Sequence, residues 1–584
     1  MTQPFQSIGY HISTGPSTSH LLKISAELVG NHQKKIRCSI PAWRPGRYKL
    51  ENFIKNMVRV QAHKKDGSPI PTKQIDRQSW EITCDEIEDF SIDYEYYAQE
   101  YGAGSTYWDG DVLLITPVTC LIFIHGSEHI QHTIQIDYPD GWTCATTLEK
   151  IPNTPHTFQA ESYDALVDSP LLISSRLKEY KLDIPTHSIY LWIHGMTPPD
   201  IDLLQRKLRD VCLEQISMMK EMPCSRYYFL LLIPEHQAYH GVEHLDSNVS
   251  IFGPGWSLVE DDQKRKLIGI LSHEFFHLWN VKRIRPEVFV PYDFSQEKMT
   301  TLLYLAEGFT CHFGPLALVR AQVISYKHYW KEISQTFTMF EKSPGRRNSS
   351  LEQSSFNAWT SSYGAAPNKA LSFYVHGAVA AFFLDVEIRK RTANASSLDE
   401  VMRRLYLDFY KNGKGIGEDD VLRVAEQVTN SDMHPFWQHV FQSTSELVYA
   451  EPLDYLGMRL IHERDPNKLL DGLGLIMKSN PFQIVRVFPE SEAYQCGLDV
   501  GDELIAVNHI RTTADTINKQ LRYFRTDETI TLTVFRNDRL KDISLPISDK
   551  YNFSYHIEPI EDPSEEQKQA RQAYFHPYYQ PKTS

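Results

Sequence analysis

The run Leu271-Ser-His-Glu-Phe-Phe-His-Leu-Trp279 sets His273 and His277 four residues apart, with Glu274 directly after the first. Residues four apart share one face of a helix, so both imidazoles can reach one cation while the carboxylate, one step round, addresses a water beside it. The preceding residues support a helix. Asp261 and Asp262 make an acidic first turn, and Leu267, Ile268, Ile270 and Leu271 follow as its buried apolar positions.

A catalytic zinc takes three protein ligands and keeps one position open for water, and two His with one Glu are a standard set. Downstream, residues 299–310 are strongly apolar except for Glu307, and a lone carboxylate there is costly to bury without a cationic partner. A solvent-facing position or a salt bridge would also account for it. His273, His277 and Glu307 are the expected ligands of one Zn2+ per chain, with Glu274 as general base on the zinc-bound water. Peptide hydrolysis needs one further donor, for the developing oxyanion. Residues 370–385 read as a buried helix whose Tyr374, close to Gly377, carries a phenol that can donate without charge, although a Tyr in such a helix is more often core.

Several separated segments together resemble the glycyl aminopeptidase family, family sixty-one of the metallopeptidases, within the gluzincin clan. His273-Glu-Phe-Phe-His-Leu-Trp-Asn-Val-Lys-Arg-Ile-Arg-Pro286 is similar to that family's motif, and Ala306-Glu-Gly-Phe-Thr310 to the segment holding its third zinc ligand. Tyr239-His-Gly-Val-Glu-His-Leu-Asp-Ser247 is similar to its Gly-x-Glu-His segment, which stands where related aminopeptidases bind the substrate's free amine through a Glu. The resemblance therefore implies that Glu243 binds the amine, with Gly241 beside it at the substrate; taken alone, Glu243 would be an exposed loop acid. Tyr374-Val-His-Gly377 resembles the Tyr-x-x-Gly element carrying the transition-state tyrosine of related enzymes.

The chain departs from the family at Cys311-His312-Phe313, where two tyrosines are usual. His312 falls on a different helical face from Glu307 and is expected to be structural. Lys282, Arg283 and Arg285 follow the motif helix, where its dipole alone accounts for cations. The implied activity is removal of amino-terminal residues, Gly or Ala for preference, from peptides with a free N-terminus. The alternatives are an endopeptidase of the same clan and a peptide-binding scaffold with an inert metal site. Glu274 speaks against the scaffold, which needs no general base.

A chain of 584 residues is too long for one core, and an α+β multidomain protein is expected. Residues 1–170 alternate apolar and polar positions between turn clusters, as a β-rich domain does. Within them Pro41-Ala-Trp-Arg-Pro-Gly-Arg-Tyr48 resembles the family's amino-terminal domain, with Trp43 and Tyr48 at a structural corner rather than in the cleft. Residues 171–454 fit a thermolysin-like, mostly helical catalytic domain in which strands 188–193 and 227–233 flank a helical run 200–222. Ser397 and Glu400 there have capping-box spacing. Residues 455–550 resemble a PDZ domain, whose Leu473, Gly474 and Leu475 would offer backbone N–H groups to a peptide's terminal carboxylate. Its groove is expected to take a peptide C-terminus or the chain's own tail, unless the domain serves to dock on the catalytic one. The tail 551–584 is polar, with a short helix over 564–575 and some disorder.

The net charge of −14 argues against nucleic acid as a partner. Neither a basic amphipathic segment nor an apolar run of membrane length is present, so no membrane association is expected. Eight scattered Cys with no Cys-x-x-Cys pair fit reduced thiols. The first residues lack the basic start and apolar core of a secretory leader, and a cytoplasmic protein is expected.

Overall fold

Apolar residues at every second position of strands such as Leu21–Val29 and Phe90–Tyr97 turn one face of each strand inward. In the computed structural model, which describes residues 5–580 except 86, 362–365, 367, 370 and 466–467, these strands belong to an eight-stranded sheet. Two four-stranded sheets complete the amino-terminal domain. Leu171–Ser174 pairs with Val112–Ile115, so this domain ends a few residues past 170.

The next sheet has five strands. Ser188–Gly195 and Arg226–Ile233 pair in parallel, and helix Ile201–Met219 makes the crossover that parallel pairing needs. Strand Ala238–Glu243 lies at the sheet edge, and helix Asp261–Phe276 packs against it with Glu274 at Gly241, while Phe275 packs on Tyr227 and Phe229 of strand Arg226–Ile233.

Glu307 lies in a π-helical turn, Tyr304–Phe309, rather than in a regular helix; helix Thr310–Arg320 comes directly after it. The helix expected over 370–385 runs Phe373–Arg391, position 370 lying outside the described residues. The two elements cross at Gly308 and Gly377, so closely that a Cβ on either would overlap the backbone of the other. Only glycines allow this approach, which puts the turn of Glu307 beside the turn of Tyr374. The capping box at Ser397 does not form. Asp385 accepts the Leu398 amide instead, at 2.9 Å, and Glu400 pairs with Arg403 at 2.8 Å.

Strand Met458–Glu463 pairs along its whole length with Ser554–Pro559, and the six-stranded unit is inserted between the two. The ribbon is fixed to helix Tyr326–Glu341, where Thr338 Oγ1 and Ser334 Oγ accept the Tyr555 and Ile557 amides, both at 2.9 Å. The tail carries the short helix expected over 564–575, and its described residues are held by specific contacts. Helix Glu565–Tyr574 starts at a capping box formed by Ser564 and Gln567, Arg320 donates to the Tyr574 carbonyl at 3.1 Å, and Glu214 accepts the Tyr578 and Tyr579 amides at 2.9 and 2.8 Å. Through residue 580 the tail is therefore docked on the catalytic domain.

The Leu473 and Gly474 amides already donate to the carbonyls of Leu470 and Asp471, at 3.2 and 2.8 Å. The inserted unit meets the catalytic domain through Lys342–Asp471 and Arg347–Glu490, at 3.3 and 3.4 Å. Among the described residues no helix is long and apolar enough to cross a membrane.

The glycine crossing yields a stability test by urea denaturation. Gly377→Ala should cost about 1–3 kcal/mol by forcing the two elements apart. Gly269→Ala, in helix Asp261–Phe276 with open space around its Cβ, should gain up to about 1 kcal/mol.

Candidate active site

The backbone stays helical through His277, so His273 and His277 project from one face. The His277 Nδ1–H donates to the Asn280 carbonyl at 2.8 Å, which leaves the Nε2 lone pair facing His273 Nε2, 3.1 Å away. Glu307 Oε2 lies 3.5 Å from His277 Nε2 and 3.9 Å from His273 Nε2. Donor atoms of these three residues fall within 4.8 Å of one another, as do those of Glu243, Glu274 and His277. Tyr374 completes the cluster through a hydrogen bond to the Glu307 carboxylate. Gly241 has a steric role, because the Glu274 carboxylate fills the space its Cβ would need. The catalytic-domain residues singled out in the sequence thus converge, while Leu473, Gly474 and Leu475 belong to the separate inserted unit.

Burial sets the electrostatics. It pushes the Glu274 and Glu307 carboxyls well above the usual carboxylate range, and the negative charge of Glu243 pushes both further; Arg44 partly offsets this. Glu243 is raised by burial too, against the opposing charge of Lys282. Burial lowers His277 to about 4 and holds His273 well below its ordinary value. Glu243 Oε1 and Glu274 Oε2 are buried without a hydrogen-bond partner. Two neutral imidazoles beside crowded carboxylates form an electron-rich set that fits a divalent cation. The His273 side chain is 22% exposed, against 2% for His277 and 3% for Glu307, so the cleft opens on its side.

Residues 9–175 match the Peptidase M61 N-terminal domain and residues 266–380 match the M61 glycyl aminopeptidase. The chain is a metallopeptidase. The fold of this metallopeptidase is that of an aminopeptidase N family protein from Idiomarina loihiensis, with 24% identity over 98% of this chain and 100% of that one, at a TM-score of 0.90. It is also similar to an M1 zinc metallopeptidase mutant from Deinococcus radiodurans bound to a Tyr-Ser-Ala substrate, with 14% identity over 77% of this chain and 96% of that one, at a TM-score of 0.49. No curated protein matches the chain.

Three features around the metallopeptidase site were not foreseen from the sequence. Asn280 Nδ2 donates to the carbonyls of Leu305 and Ala306, at 2.7 and 3.2 Å, and lies 2.9 Å from Thr310 Oγ1. The Asn280 side chain thus ties the end of the motif helix to the turn of Glu307, while the Asn280 backbone carbonyl orients His277. The cations after the helix do more than answer its dipole. Lys282 pairs with Asp168 of the amino-terminal domain at 2.7 Å, Asp168 also meets His244 at 3.1 Å, and Arg283 pairs with Asp246 at 2.6 Å. Arg285 lies 4.2 Å from the centre of the Tyr292 ring. Arg44, from the amino-terminal domain, is buried within electrostatic reach of all three carboxylates. His312 is buried 3.9 Å from Asp385.

Asn280→Ala should lower stability by about 1–3 kcal/mol, since buried carbonyls lose their donor. Metal retention should weaken about ten- to a hundredfold, read by competition with a chelating dye.

Proposed function

We propose that this metallopeptidase is a zinc aminopeptidase that removes small residues, Gly or Ala, from the free amino terminus of peptides. The observation that carries this reading is Glu243 Oε1, buried without a hydrogen-bond partner beside the His277 and Glu274 donors. A carboxylate in that state wants a cationic donor, and a substrate ammonium supplies both charge and N–H groups. An endopeptidase would have no use for it.

His273, His277 and Glu307 would hold the zinc, which when bound supplies a Lewis acid for the scissile carbonyl and makes the attacking water more acidic. Glu274 takes the proton from that water and passes it to the leaving amine; burial and the Glu243 charge, by raising its affinity for a proton, suit it to a base that must later act as an acid. Tyr374, which donates to Glu307 in the free protein, is within one hydrogen-bond exchange of donating to the oxyanion. Glu243 fixes the ammonium and so the register of the first peptide bond.

The inserted unit we assign to the PDZ type, with docking as its role in preference to binding of a peptide C-terminus. Its occupied loop amides and its ion pairs to the catalytic domain support this.

The test is a panel of free and amino-blocked di- and tripeptide amides, with and without a chelator. Free substrates should be cleaved, blocked ones spared, and the chelator should abolish turnover. Glu274→Gln should lower kcat about a hundred- to ten-thousandfold. Glu243→Ala should lower kcat/KM on free-amine substrates about ten- to a hundredfold. Rapid cleavage of blocked peptides would refute the assignment.

A further inference from the structure

A peptide held by its amine at Glu243 has the strand of that residue to follow. Strand Ala238–Glu243 is the outermost of its sheet, and an outermost strand can take an extended peptide alongside it. Alternate residues of a strand face opposite ways. Val242 joins a core with Val112 and Leu114 of the amino-terminal domain, so the even positions face that domain. Gly241 faces helix Asp261–Phe276, where the Glu274 carboxylate fills the space of a Cβ, and Tyr239 and Glu243 share its side of the strand. Phe252, directly opposite Tyr239 on the neighbouring strand, marks the same side: its ring is 5.9 Å from that of Tyr239, and it is buried in one cluster with Leu267 and Leu271 of the helix. One face of the strand thus carries Glu243, Gly241 and Tyr239 in succession, about 7 Å apart.

These positions correspond to parts of a substrate. With the ammonium on Glu243 and the reacting bond at Glu274 beside Gly241, the leaving fragment runs on toward Tyr239, and a further 7 Å or so of extended chain brings the third residue there. The opening of the cleft agrees with that direction. Glu243 clusters with the buried His277, whereas His273 is 22% exposed and has Cys311 Sγ 3.9 Å from its Nδ1; Tyr239 lies within electrostatic reach of Cys311 and of Glu274. Tyr239 is 59% exposed, yet the protein around it and the Glu274 charge push its phenol up to about 12, as befits a ring standing in an open cleft. Glu332, on helix Tyr326–Glu341, also acts on Tyr239. It forms no ion pair among the described residues, and burial pushes its carboxyl up to about 6, so a cation arriving there would be welcome.

We propose that Tyr239 is a specificity-determining residue for the leaving fragment: its ring is the platform for the third residue of a peptide, and the Glu332 charge favours a basic side chain there over an acidic one. The proposal rests on the aminopeptidase reading, which concerns only the first residue, and adds a preference for peptides of three or more residues with Arg or Lys third. A guanidinium or ammonium over a Tyr face is an attractive contact in its own right.

The test compares kcat/KM for Gly-Gly-amide, Gly-Gly-Arg-amide and Gly-Gly-Asp-amide in wild type, Tyr239→Ala, Tyr239→Phe and Glu332→Gln, with folding of each checked by melting temperature. Wild type should prefer the Arg to the Asp peptide about tenfold or more. Tyr239→Ala should lower kcat/KM on Gly-Gly-Arg-amide about fivefold or more while leaving Gly-Gly-amide, which has no third residue, within about twofold. Tyr239→Phe keeps the ring and should stay within about twofold of wild type on all three. Glu332→Gln should shrink the Arg/Asp ratio about threefold or more. An equal loss on Gly-Gly-amide and Gly-Gly-Arg-amide in Tyr239→Ala, or no loss on either, would overturn the proposal. So would a Phe variant as impaired as the Ala variant, which would assign the effect to the hydroxyl, or an Arg/Asp ratio that Glu332→Gln leaves unmoved. The aminopeptidase assignment fails separately, on wild-type cleavage of amino-blocked peptides.

Discussion

Three carboxylates, those of Glu243, Glu274 and Glu307, are buried next to two imidazoles that burial keeps neutral, and the rest of the centre is organised around that crowding. Removing one charged carboxylate from water is already costly unless a partner compensates. Three in one small volume raise one another's affinity for protons, so the arrangement is favourable at neutral pH only when positive charge joins it. Nearby protein cations fall short of that: Lys282 is engaged with Asp168, and Arg44 offsets the raised carboxyls only in part. On the proposed reading, a divalent ion held by the imidazoles and Glu307, with a substrate ammonium on Glu243, would supply the missing charge. Binding and chemistry draw here on one electrostatic debt.

Holding such a cluster together takes backbone contacts as well as charges. The Gly308–Gly377 crossing brings Glu307 and Tyr374 within one hydrogen bond, and Gly241 lets the edge strand lie on Glu274. The π-helical turn widens the backbone at Glu307, and Asn280 takes up carbonyls of that turn. The centre also depends on the amino-terminal domain. Asp168 fixes Lys282, Trp43 plugs into the catalytic core, and the Arg44–Arg47 turn covers Glu243.

What could be read from the sequence depends on how local each signal is. His273, Glu274 and His277 announce themselves because helical periodicity ties their spacing to one face, and Glu307 because a lone acid in an apolar run needs a reason. Strand alternation revealed the β-rich character of the first domain, and the strand–helix–strand order that opens the second was also legible. The parts that stayed hidden depend on distant contacts. Arg44 lies 199 residues before Glu243, and an Arg is by default exposed, so nothing local marks it. The pairing of Met458–Glu463 with Ser554–Pro559 spans the whole inserted unit, which made the segments at its two ends look like a domain edge and a loose tail. Gly-Leu-Gly-Leu suggested free amides, but a short helical turn at Leu469–Gly472 consumes two of them, a hydrogen-bond detail that residue types do not reveal. Asn280 sits inside the metal-binding motif and could have been noticed there, since an Asn just past a helix end can serve the carbonyls of a neighbouring turn.

The central claim is that one divalent metal resides among His273, His277 and Glu307. Elemental analysis of gently purified protein, combined with anomalous X-ray diffraction at the zinc edge, tests it most directly. The account predicts close to one zinc per chain and a single anomalous peak between the two Nε2 atoms and the Glu307 carboxylate. Protein with no bound metal, or a peak elsewhere with the three carboxylates still buried together, would contradict it.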